Sequence, residues 1–440
     1  MNFRFKGVHL IAAFSLITAG CLSVHLPQIK LGAKGSEETF DWNAIVNETL
    51  QNNPDLQAAK YSVNSVARSR DIAIGGFHLP TVTGELNRDQ TRTSTSSTSE
   101  DLDAHLIVKE PFFNGFKSTG DFIKAKKDLE AEKWSYRSTS AAVRFRLRTA
   151  YIELLRLNEQ LEVSRKIEIR RKRNAELIKL RYEAGREHLG SSLRAEAIAE
   201  QAAFDVRQIQ RQIQSQILRL GREIGASFEE PAGVEGDLEK MIPILQENAP
   251  DYSELAGKVP GVQEAIKNAE SFKAAIISAQ GDVWPTVDGT FEHGYSGTRA
   301  ADLKRGEDSF LGIKVAVPFF NGGRNINGIR KAKADYEAAC ESARSTRDEA
   351  IAQLADSWTQ WVNATEQVGI RKKFLEAARK RSEIVRSEYE TGLVNFQDFD
   401  IAEQDIADSE KNYVESLANA SAKQAGWELS RGLGLEEALA

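Results

Sequence analysis

Pro111-Phe112-Phe113-Asn114-Gly115 returns as Pro318-Phe319-Phe320-Asn321-Gly322, a displacement of 207 residues (from 111 to 318). The same displacement relates Tyr182-Glu183-Ala184-Gly185 to Tyr389-Glu390-Thr391-Gly392, and Lys124-Ala125-Lys126-Lys127-Asp128 to Lys331-Ala332-Lys333-Ala334-Asp335. Upstream, Leu79-Pro80-Thr81-Val82 returns as Trp284-Pro285-Thr286-Val287 at a displacement of 205 (from 79 to 284). The slip of two residues therefore falls between Pro80 and Pro111, where a loop absorbs it. A duplication of this length means two copies of one large supersecondary unit, each needing the other or further copies to complete a structure.

Each copy reads helix, strand, loop, strand, very long helix, tight turn, helix. In copy one a helix begins at Pro54, carries Leu56, Ala59, Val63 and Val66 at helical spacing, and is expected to stop at Gly75-Gly76. Extended chain follows from Pro80, and then Leu102, Ala104, Leu106 and Val108 alternate with Asp103, His105 and Lys109, the period of a strand with one wet face. In copy two Leu311, Ile313, Val315 and Val317 alternate in the same way. Polar loops near 91–101 and 298–308 separate the strands. The long helices are expected over 121–182 and 327–389, each about 90 Å long at 1.5 Å per residue. Their apolar positions recur at spacings of four and three, and many are small or polar (Ala150, Ser164, Thr365, Ser382), so the helices pack in a thin layer. The two shorter helices of each copy, end to end, nearly match one long helix.

The first twenty residues stand apart. Arg4 and Lys6 precede an apolar run that ends in Thr18-Ala19-Gly20-Cys21, the pattern of a secretory signal peptide over 1–20. Cys21 is similar to a lipobox cysteine, with Thr18 where a large aliphatic residue usually stands; lipidation of Cys21 and ordinary cleavage near Gly20 are the two readings. Residues 21–50 form an N-terminal extension, 51–230 repeat 1, 231–258 a connector and 259–435 repeat 2. With 58 basic against 64 acidic residues the chain is modestly acidic, which gives no electrostatic case for nucleic acid. Two cysteines make no disulfide framework, and Cys340 reads as a small buried residue.

Enzyme motifs fail. Gly115-Phe116-Lys117-Ser118-Thr119 has no glycine beside its lysine, the six histidines lack metal-ligand spacing, and there is no nucleophile elbow. The expectation is a non-enzyme without cofactor or metal.

No later segment offers eighteen consecutive apolar residues, so a bilayer crossing requires strands in a closed barrel. Four strands per chain are too few to close one, since useful membrane barrels start at about eight. The chain must therefore oligomerise.

The order and repetition of Asn53-Pro54-Asp55-Leu56, the Leu79-Pro80 and Trp284-Pro285 junctions, the Pro-Phe-Phe-Asn-Gly strand ends and the Tyr-x-x-Gly turns resemble the TolC family of bacterial outer-membrane efflux proteins. The resemblance covers most of the chain. It implies a mainly α fold with a β-barrel contribution: a duplicated unit of long α-helical hairpins forming a periplasmic helical barrel, plus four transmembrane β-strands per chain in a trimeric twelve-stranded barrel. It also implies a homotrimer in outer-membrane lipid, spanning into the periplasm, that works with a periplasmic adaptor protein and an inner-membrane transporter in efflux or type I secretion. The rival reading is a periplasmic adaptor or other coiled-coil envelope protein without a channel.

Under that resemblance the turns after Tyr182 and Tyr389 are periplasmic tips. Gly185 and Gly392 permit the turns, and Tyr182 and Tyr389 pack or hydrogen-bond at a gate. Asp398 and Asp400 either form an acidic constriction or, for Asp398, serve the helix start as a carboxylate favoured by the helix dipole. Copy one has Ser191 where copy two has Asp398, so any ring is three-fold. Phe112, Phe113, Phe319 and Phe320 are either a membrane-interface girdle or plugs between strand and helix. Arg181 and Arg186 flank the first tip as adaptor contacts or solvated charges.

Overall fold

The computed structural model describes residues 42–91, 99–225, 234, 236–242, 249–297 and 306–438. The signal-peptide segment, Cys21 and parts of the connector lie outside the described residues. The chain runs α1 (Trp42–Asn52), α2 (Pro54–His78), β1 (Thr81–Thr91), β2 (Ser99–Asn114), α3 (Lys117–Glu183), α4 (Leu189–Ile224), α5 (Tyr252–Ala256), α6 (Pro260–Gly281), β3 (Thr286–Gly297), β4 (Gly306–Ala316), α7 (Arg324–Thr391) and α8 (Phe396–Ser430), and ends in a 3-10 turn (Leu435–Ala438).

Helix α2 starts where Asn53, in extended backbone, accepts from the Leu56 N–H through its side chain, with Pro54 in the first turn. It does not stop at Gly75-Gly76 as expected. The helix continues to His78, and the N–H of Leu79 still donates to the Gly75 carbonyl. A glycine inside a helix costs only about 1 kcal/mol, whereas Leu79 precedes Pro80 and is driven extended by its ring.

Helices α3 and α7 have 67 and 68 residues, about 100 Å each. Near the strands the helices lie in the order α2, α3, α6, α7; towards the far end they lie α4, α3, α8, α7. The short helices stack end to end. Asn53 Nδ2 donates to the Glu223 carbonyl at 2.6 Å, and Gly225, at positive φ, abuts the backbone of Asn52 and Asn53. In copy two Gly432, also at positive φ, abuts the ring of Pro260. Any side chain at either glycine would collide. The largest apolar cluster sits at this waist, where Leu147, Leu154, Ile224, Leu238 and Leu435 are fully buried.

The four strands form one antiparallel sheet in the order β1-β2-β3-β4. The registers put Leu86 beside Ala104, Ala104 beside Tyr295, and Phe291 beside Leu311. One face is thus apolar and outward, with Leu311 81% exposed, while Glu85, Asp103, Asp288 and Lys314 occupy the other. Among the described residues nothing pairs with the outer edges of β1 and β4. Strand β2 runs on past the alternating stretch that ends at Lys109 to Asn114, through a register shift between Pro111 and Phe113. Strand β4 stops at Ala316, because β3 is its sole neighbour whereas β2 has one on each side. Cys340, expected to be buried, is half-buried, since the upper half of α7 has only α6 against it.

Asn53 serves two helices at once. Asn53→Ala removes the cap of α2 and leaves the Glu223 carbonyl unsatisfied, an expected loss of about 1–3 kcal/mol. Thermal melting followed by helical circular dichroism checks this, and Asn53→Asp, which keeps the cap alone, is expected to recover part of the loss.

Candidate functional site: the helical tip and the strand ends

Both tips are built by one backbone device. After α3 the N–H of Gly185 donates to the Tyr182 carbonyl and that of Arg186 to the Arg181 carbonyl; after α7 the N–H of Gly392 donates to Tyr389 and that of Leu393 to Glu388. Each is a Schellman closure, which requires a left-handed residue, supplied by Gly185 at φ 69° and Gly392 at φ 84°. The Tyr-x-x-Gly spacing is the sequence image of that closure. Helix α8 then restarts with Asn395 accepting from the N–H of Asp398 at 2.9 Å.

The two tyrosines part company. Tyr182 is 39% exposed, while Tyr389 is 1% exposed. The Tyr389 ring stacks on Phe399 (4.6 Å, 8° between planes), and the Arg181 guanidinium lies over it at 4.5 Å while donating to the Tyr389 carbonyl at 2.7 Å. Its hydroxyl donates to Glu187 at 2.9 Å. Burial first, and then the Glu187 carboxylate, hold the Tyr389 phenol protonated well above the usual tyrosine range. Burial pushes Glu187 up, but the His188 N–H, the Tyr389 hydroxyl and Ser191 outweigh it and keep its carboxyl below the ordinary range. Residues Arg181, Glu187, Tyr389 and Phe399 thereby clamp the α3/α4 hairpin to the α7/α8 hairpin. Of the flanking arginines, Arg181 is thus half of an internal contact.

The structure separates the two candidate aspartates. Asp398 is exposed at the first turn of α8. Asp400 is buried and paired with Arg171 Nη1 (3.3 Å) and Arg194 Nη2 (2.9 Å) of the same chain. One turn further along α8 lies a group that sequence reading missed. Glu403 is fully buried and accepts from Asn174 (3.0 Å), Ser382 (2.9 Å) and Arg386 (2.8 Å), with Arg170 at 3.3 Å. Burial pushes its carboxyl up, but Arg386, Ser382 and Arg170 together hold it below the ordinary glutamate range. It ties α3, α7 and α8 together. A signal existed: Ser164, Arg171, Asn174 and Ile178 of α3 recur at spacings of seven, three and four, the stripe that α3 buries.

At the strand ends Phe113 meets Phe116 edge-on at 5.3 Å, and Phe116 meets Trp284 at 6.3 Å, between strand and helix. Phe112 lies across Gly289 on the sheet face. Among the described residues Phe319 and Phe320 have no such cover, Phe319 being 93% exposed. Among the described residues no group of His, Cys, Asp and Glu is arranged to hold a metal ion, and no helix is long and apolar enough to cross a membrane.

A carboxylate held below its ordinary value stabilises the fold above its unfolded pKa of about 4.3, and that contribution is lost as pH falls through the lower folded value. The melting midpoint of wild type is therefore expected to exceed that of Glu403→Gln most clearly above about pH 5, and the gap to close on acidification. Glu403→Ala, which strands Arg386 and Arg170 beside a cavity, is expected to cost about 3–5 kcal/mol in the same melts.

The profile of the family described as outer membrane efflux protein matches residues 45–226 and 252–435, the two copies in turn. The chain is 20% identical to the outer membrane efflux protein BepC of Brucella suis over 384 residues, covering 82% of this chain and 80% of that one. It is 23% identical to the alkaline protease secretion protein AprF of Pseudomonas aeruginosa over 355 residues, covering 75% and 71%. Its fold superposes on the open state of the Neisseria gonorrhoeae MtrE outer membrane channel with a TM-score of 0.80 at 17% identity, covering 90% of each. A sequence duplicated around two strand pairs, folded as a four-stranded sheet on paired helical rods, and matched by that profile across both copies, belongs to the outer membrane efflux protein family.

Proposed function

We propose that the protein is the outer-membrane exit duct of a tripartite efflux pump or type I secretion system, a homotrimer whose twelve strands close a barrel and whose helices extend into the periplasm. It is passive: an inner-membrane transporter supplies the energy, and a periplasmic adaptor joins the two. The observation that carries this is the four-stranded sheet with one apolar outward face and two unpaired edges, since lipid admits strands only where every edge is paired. The relatives named for efflux and for protease secretion support both branches of the reading.

The tips are the gate. The Tyr389 clamp closes the hairpins on each other within a chain, and Asp398 faces the solvent side of the same end, three copies per trimer. Asp400, held by two arginines, contributes position in place of free charge. Phe112 and Phe319 belong to the membrane interface, and Phe113 to a plug under it.

In planar bilayers the purified protein is expected to give discrete, long-lived currents, and a silent protein that extracts with the soluble fraction would favour the adaptor reading. The paired variant Arg181→Ala, Tyr389→Ala is expected to raise mean conductance several-fold by releasing the clamp. Asp398→Ala is expected to lower cation selectivity; identical selectivity would leave Asp398 as a residue of the helix start alone.

A further inference from the structure

We propose that the boundary between subunits repeats, residue for residue, the boundary that the duplication has built inside one chain. This rests on the trimeric duct reading and specifies how its open edges meet. Thr81 faces Lys109 in the first hairpin and Thr286 faces Ala316 in the second, positions that correspond under the displacements of 205 (81 to 286) and 207 (109 to 316). The two hairpins are therefore the same object, and the β2–β3 seam is a template for how one hairpin meets the next. Val108 faces Phe291 there, and Glu110 faces Gly289. Carried forward, the seam sets β4 against the free edge of β1, with Val315 opposite Leu86 of the partner subunit and Val317 opposite Gly84 of the partner subunit.

Two residue coincidences support this register over its neighbours. In the template the Phe112 ring lies on Gly289, too close for any side chain there. The counterparts are again an aromatic and a glycine: Phe319, almost bare in the single chain, and Gly84 of the partner subunit. A slip of two residues sets Phe319 over a bulky Val82 or Leu86 instead, and a slip of one turns the apolar face inward. In the template Gly115 also abuts the carbonyl of Gly281. Its counterparts are Gly322 and Gly76, and nothing lies within 4 Å of where a side chain on either would begin. Gly322 needs its positive φ, but Gly76 is helical, and a helical glycine costs about 1 kcal/mol. Among the described residues nothing explains that cost; the approach of Gly322 from a second copy does. Two further close approaches of the template do not repeat: Gly120 against Ser278 has Asn327 and Ala73 as counterparts, so α7 and the next α2 stand further apart there, and Gly294 against the His105 ring has Asp89 and Gly312, with the small residue on the other strand.

Directly opposed residues in an antiparallel pair have Cα atoms about 4.5–5.5 Å apart, within disulfide reach, while diagonal neighbours stand about 7–8 Å apart. In a Cys340→Ala background, Val315→Cys with Leu86→Cys is expected to oxidise to a covalent trimer on a denaturing gel. Val315→Cys with Gly84→Cys, or with Arg88→Cys, is expected to remain monomeric on the same gel. The reverse preference, or no cross-link in a protein that stays a conducting trimer, overturns the register and leaves the duct. A monomer that conducts nothing overturns the duct and the register with it. Gly76→Leu, which favours the helix, is expected to keep helical circular dichroism and lose the trimer; an intact trimer would overturn the helical half of the boundary.

Discussion

A backbone N–H or C=O in hydrocarbon must find a partner, and the described residues of this chain leave two rows of them open. Strands β1 and β4 end the sheet on either side, and every larger feature is a response to that. The apolar outward face of the sheet is tolerable only in lipid, lipid is tolerable only for a closed barrel, and closure needs other chains. Duplication is the economical route, because a hairpin that pairs with its own copy already carries both halves of the surface needed to pair with the next.

Away from the membrane the logic changes from edges to layers. Helices one layer deep cannot build a thick apolar core, so the lower half is held by buried polar ties. Glu403 joins three helices through four side chains, and Tyr389 is caught between Phe399 and Arg181. Such ties depend on geometry more than apolar contacts do, since removing one partner strands a charge.

The repeat, the strand alternation and the long helices were legible because each is periodic. Gly185 and Gly392 were legible because a Schellman closure demands its residue at a fixed place. Gly75-Gly76 misled because a glycine reads as a stop whether it ends a helix or admits a neighbour. Unequal strand ends were hidden for a related reason: identical Pro-Phe-Phe-Asn-Gly segments differ in structure only because β2 is internal and β4 is not. Glu403 and Asn174 were hidden because burial of a polar residue is decided by what packs on it, and their partners lie 229 positions apart in sequence.

The narrow, polar helix seams bear also on biogenesis. A rod layer stabilised by ion pairs, in a chain of mean hydropathy −0.42, suits water, with its exposed apolar side chains, such as Ile169, Leu218 and Phe374, spread along the helices. On the outer strand face exposed apolar side chains lie side by side, Val82 and Leu86 on β1, Phe291 on β3 and Leu311, Ile313 and Val315 on β4, with Phe319 and Phe320 beyond them. An unassembled subunit is therefore most adhesive where apolar side chains adjoin one another, at the strands, which favours insertion and association coinciding there.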